Sequence, residues 1–62
     1  MYRVERIEDP QQPGAVLYQG NFSEQAKDHF DKAIPGASQV TLKVWREKKW
    51  ATVYLFKCYR KL

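Results

Sequence analysis

Side chains able to attack a carbon or move a proton near neutral pH are scarce in this 62-residue chain, which has one histidine, His29, and one cysteine, Cys58. His29 stands between Asp28 and Phe30, with Asp31 two positions on. A nucleophilic site would need Ser23 or Cys58 held against His29 and a carboxylate to orient the ring. Nothing in the spacing asks for that, and a surface histidine on the edge of a helix stripe is the plainer reading. One Cys and one His assemble neither a Cys/His zinc site nor an intrachain disulfide. Gly14, Gly20 and Gly36 stand apart at turns and form no phosphate-cradling loop. The expectation is a protein without a catalytic set, metal or cofactor.

The chemistry that remains is recognition by charge and aromatic surface. The net charge of +4 hides an asymmetry about Gln39: residues 1–39 hold four Lys or Arg against six Asp or Glu, and residues 40–62 hold seven against one. The C-terminal third also holds Trp45, Trp50, Tyr54 and Phe56 among Lys43, Arg46, Lys48, Lys49 and Lys57. A localised basic patch steers acidic partners, whether nucleic acid, nucleotide or an acidic protein surface.

These residues must be positioned by strands. Val40–Arg46 and Trp50–Arg60 each alternate with period two and are rich in β-branched and aromatic residues. Placing Trp45 opposite Trp50 sets Val44 against Ala51, Lys43 against Thr52, Leu42 against Val53, Thr41 against Tyr54 and Val40 against Leu55. One face is then Val40, Leu42, Val44, Ala51, Val53 and Leu55; the other is Thr41, Lys43, Trp45, Trp50, Thr52, Tyr54 and Phe56. Arg46-Glu47-Lys48-Lys49 lacks the Asn-Gly of a tight hairpin, which predicts a four-residue loop around a type I turn.

Upstream, Tyr2–Ile7 and Ala15–Gln19 read as strands across the turn-rich Asp9-Pro10-Gln11-Gln12-Pro13-Gly14. Tyr2, Val4 and Ile7 alternate imperfectly, which suggests a bulge. Ser23–Ile34 reads as one amphipathic helix with Ser23 as its cap and Ala26, Phe30, Ala33 and Ile34 on one stripe, ended by Pro35-Gly36. The order β-β-α-β-β predicts a single small α+β domain over residues 1–62, with the helix on the aliphatic face of an antiparallel sheet. Phe30, Ala33 and Ile34 would meet Leu42, Val44, Val53 and Leu55. A chain this short buries about 60% of its unfolded surface, and such a core seldom supplies more than roughly 3 to 5 kcal/mol.

The other sheet face would then stand uncovered with Lys43, Trp45, Arg46, Lys48, Lys49, Trp50, Tyr54 and Phe56 as the partner-binding set. Facing tryptophans also stabilise a small sheet without any further role. Three uses suit the face: docking on a partner protein or on a second copy as a homodimer, stacking of single-stranded nucleic acid, and capture of a nucleotide between subunits. The glycine-containing aromatic signature of the common RNA-recognition sheet is absent. No apolar run is long enough to span a membrane and MYRVERIEDP has no signal-peptide core, so a cytoplasmic protein is expected.

In size and build, with one acidic helix, a basic aromatic hairpin and no catalytic set, the chain resembles the small accessory proteins of bacteriophages, above all anti-CRISPR and other anti-defence or host-takeover inhibitors. The resemblance implies stoichiometric inhibition by occluding a host protein, or sequestration of a signalling nucleotide, in the host cytoplasm.

Overall fold

The computed structural model describes residues 1–58. Strands β1 (Tyr2–Ile7), β2 (Ala15–Gly20), β3 (Gln39–Arg46) and β4 (Lys49–Lys57) and one helix, α1 (Ser23–Ala33), follow the expected β-β-α-β-β order. The strands form one antiparallel sheet in the order β2-β1-β3-β4. It is an α+β fold. The strand expected to run on to Arg60 is described as far as Lys57, after which the Cys58 amide donates to the Ser38 carbonyl at 2.9 Å; residues 59–62 lie outside the described residues.

Because β1 is paired on both sides, β2 and β3 cannot be neighbours, and α1 carries the chain across β1 from one to the other. The helix therefore packs on β2, β1 and β3. The buried core is Val4, Ala26, Phe30, Ala33, Ala37, Val40 and Leu42, with Tyr2, Tyr18, Ile34 and Phe56 packed against it. Val4, on the central strand, is fully buried, whereas Val53 and Leu55, expected in this core, are about half exposed at 46% and 53%.

Local chemistry shapes the helix ends. Ser23 is the first helical residue and caps nothing; the N-cap is Phe22, without a side-chain cap hydrogen bond. Instead the Phe22 amide donates to the Tyr18 hydroxyl at 3.3 Å, and that hydroxyl lies 3.4 Å from the Phe22 carbonyl. Gly20 makes room for this, since a Cβ there would come within 2.7 Å of the same hydroxyl. At the other end Gly36 takes φ +80°, which ends the helix without side-chain strain. Arg6 closes it: Nε donates to the Ala33 carbonyl at 2.9 Å and Nη2 to the Pro35 carbonyl at 3.1 Å, a cation at the negative end of the dipole.

The expected bulge in the first hairpin is present. Val4 pairs with Tyr18 and Glu5 with Val16, so Leu17 is the extra residue. The irregularity lies on β2 and not in the Tyr2–Ile7 strand whose alternation suggested it: β1 pairs with β3 without a break, so Tyr2, Val4 and Arg6 share the helix face and Ile7 turns to the open one. No helix among the described residues is long and apolar enough to cross a membrane.

Candidate binding face of the sheet

The open face is built around Trp45 and Trp50, which pair across β3 and β4 as the alternation predicts. Their rings meet edge to face at 5.2 Å between centroids and 66° between planes, the arrangement that the aromatic quadrupole favours. The Arg3 guanidinium carbon lies 4.2 Å from the Trp50 ring centroid, so a residue of β1 spans β3 to stack on β4. Gln19 on β2 orients Arg3 through a 3.1 Å hydrogen bond from Arg3 Nε. Beside this cluster Glu5 accepts Lys43 Nζ at 2.8 Å and lies 3.8 Å from Arg3. The one carboxylate in the middle of this face is thus shared between two cations.

A second bulge redistributes the expected set. Lys43 pairs with Thr52 as predicted, but Leu42 pairs with Tyr54, Thr41 with Leu55 and Val40 with Phe56, which leaves Val53 as the extra residue. Beyond Val53 the two faces of β4 exchange. Tyr54 and Phe56, expected beside the tryptophans, lie on the helix face: Tyr54 sits 5.8 Å from the Phe30 ring, and Phe56 packs on the core. The core gains the Phe56 ring beside Val40, whereas Tyr54 lies against Phe30 and stays about half exposed; the bulge is what brings both rings to this side. Leu55 takes the place vacated on the open face and is exposed there.

The hairpin end departs from expectation as well. Arg46 pairs with Lys49, so the loop is Glu47-Lys48 alone, with φ +53° and +65°. Positive φ at both central residues is the type I′ geometry, whose twist matches that of the flanking strands. Arg46 and Lys49 thereby lie on the face opposite the tryptophans, and Lys48 projects at the tip.

Of the expected binding residues, Lys43, Trp45 and Trp50 are gathered on the open face, Arg46, Lys48 and Lys49 at the hairpin end, and Tyr54 and Phe56 on the other side. Arg3, Glu5, Gln19 and Leu55 belong to the face and were not expected there. Alternation along Tyr2-Arg3-Val4-Glu5 puts Arg3 and Glu5 on a polar face, yet nothing local says that this strand lies against β3.

The cations divide along the chain. Arg3, Arg6, Lys27, Lys32 and Lys43 each have a carboxylate partner. Among the described residues, Arg46, Lys48, Lys49 and Lys57 form no ion pair. All four belong to the β3–β4 hairpin, where Glu47 is the sole acidic residue. His29 is occupied elsewhere, stacked on Tyr18 at 5.1 Å and 24°. The described residues contain no group of three or more His, Cys, Asp or Glu that could hold a metal ion.

No family model, curated protein or solved structure matches this chain.

Proposed function

We propose that this is a noncatalytic binding module whose open sheet face and basic hairpin dock on an acidic surface of another protein, inhibiting it by occlusion. The observation that carries the reading is the uncovered Trp45–Trp50–Arg3 cluster on a hairpin that also holds four cations without a carboxylate partner among the described residues, Lys48 at the adjoining tip, Lys57 farther along the same face, and Arg46 and Lys49 on the opposite side. Trp and Arg are the side chains that most often anchor protein interfaces, and unpaired cations at the rim speed association with an acidic partner. An inhibitor of the phage type would work in this way, in the host cytoplasm.

The register weighs against the two rivals. Single-stranded nucleic acid needs free aromatic faces in a row, and with Tyr54 and Phe56 on the helix side and Arg3 on Trp50, Trp45 offers the one large exposed ring of the expected set on the open face. A second copy docked face to face would bring Arg3, Lys43 and Lys57 against their own kind, with Glu5 already shared.

The test is affinity capture from bacterial lysate with the wild-type protein and with a Trp45→Ala Trp50→Ala variant whose melting shows it folded. A protein partner retained by the first and lost by the second is expected. Retention of nucleic acid in its place, or equal capture by both baits, would count against the reading.

A further inference from the structure

We infer that the outer edge of β4 receives an extended acidic segment of the partner as a fifth strand of the sheet. This rests on the reading above and specifies how the partner is held.

The two edges of the sheet are not equivalent. Each edge strand carries one bulge, but β2 has only six residues and is covered on one side by the helix. β4 has nine residues. The helix backbone does not reach it; what touches it is side chains, the Phe30 ring and the Lys27 ammonium, 5.5 Å from the Tyr54 ring centroid. Among the described residues no strand pairs with its outer side. An edge strand so long and uncovered presents unpaired main-chain donors and acceptors, the template used in strand addition.

Side chains define what can lie there. Val53, Tyr54 and Leu55 are consecutive and about half exposed at 46%, 48% and 53%. The bulge sends Leu55 to one face and Tyr54 to the other, so both sides of an added strand would find apolar contact near the middle. Lys49 and Lys57 stand at the two ends, with Arg46 and Lys48 beside the first. None of the four forms an ion pair among the described residues. Because Val53 is the extra residue, the two lysines stand seven ladder steps apart, Arg46 to Gln39 on β3, about 24 Å. The complement is a segment of roughly nine residues, apolar and β-branched at its centre, with Asp or Glu at both ends.

Charge complementarity also rules on the alternative of a second copy. A second copy adding its own β4 there would bring a strand whose charged residues are both lysines, Lys49 and Lys57, and edge lysines commonly block such self-pairing. An acidic strand turns the same lysines into partners.

The probe is a synthetic nonapeptide with two acidic residues at each end and alternating Val and Thr between. It is titrated into the full chain by Trp fluorescence, with amide hydrogen exchange followed along β4. Binding that slows exchange in Val53–Lys57 is expected. Replacing the acidic residues by their amides should weaken it at least about tenfold. N-methylating alternate peptide amides should abolish binding for one parity and spare the other, because only one set of N–H groups faces the sheet. A peptide that binds without slowing β4 exchange, or equally through both N-methylated forms, overturns the strand addition and leaves open-face docking standing. Undetectable binding overturns it too, as does equal protection of β4 by oligothymidylate. Slowed exchange with rising protein concentration and a doubled mass would assign the edge to a second copy, which also overturns the inference. Lysate capture by the tryptophans is read independently of all these outcomes.

Discussion

Leu42 pairs with Tyr54 across the β3–β4 ladder, and Val53 stands beside them without a partner of its own. This one offset separates the aromatic residues of β4 into Trp50 on the open face and Tyr54 and Phe56 on the helix face. It thereby decides which of them share the open face and which lie against the helix.

If Val53 is the extra residue, its deletion should leave both faces of β4 as they are, because Thr52 already opposes Lys43 and Tyr54 already opposes Leu42. Deleting Leu55 instead would either place Phe56 opposite Thr41 or close the bulge and place Tyr54 there, so by either route one aromatic ring leaves the helix face. Near-ultraviolet circular dichroism and thermal melting should show the first variant folded and the second severely destabilised. Similar melting of the two would contradict the bulge.

The turn at Glu47-Lys48 holds two residues with Cβ atoms at positive φ. Asn-Gly adopts this geometry with far less strain. A Glu47→Asn Lys48→Gly variant should gain about 1 kcal/mol, which for a domain of this size raises the melting temperature by roughly 4 to 8 °C. Any loss of stability would argue that the turn is of another type.

Arg6 ties the helix end to the sheet through two carbonyls. Arg6→Ala should cost about 1.5 to 3 kcal/mol, the range for hydrogen bonds to a charged group, a large share for a core that seldom supplies more than roughly 3 to 5 kcal/mol. Lysine should recover little of it, since its ammonium does not reproduce the planar fork. Denaturant titration of the three proteins measures both effects, and an undamaged Arg6→Ala variant would assign the helix end to other contacts.

Solvent-exposed pairs on the helix should leave a modest mark at the pH extremes. The hydrogen bond from Lys32 holds the Asp28 carboxyl below its ordinary 3.8, so the stabilisation is complete above that value and is lost as pH falls through the lower folded one. The same bond to Asp28 raises Lys32 above 10.5, and the bond to Asp31 raises Lys27; their contributions are present below 10.5 and are lost as pH rises through the folded values. Asp28→Asn should therefore flatten the acid limb of the melting temperature. High salt should weaken all of these effects. An unchanged acid limb in the variant would refute the role of Asp28.

Much of this fold was legible in the residues. Alternation and turn chemistry placed four strands and the helix to within a residue or two over the described chain, and two facing tryptophans anchored the hairpin at its turn. Those features depend on neighbours in sequence or directly across a ladder. The charge imbalance about Gln39 likewise needed no coordinates. What the residues could not convey was strand order, because nothing local makes β1 central; with it came the burial of Val4, the reach of Arg3 to Trp50 and the role of Arg6 at the helix end. The change of face at Val53 was equally hidden, since regular alternation ran unbroken through it and a bulge there is favoured by how Tyr54 and Phe56 fill space against Phe30 and the central strands. Patterns with a short period announce themselves in a chain; the filling of a shared volume is decided when distant segments meet.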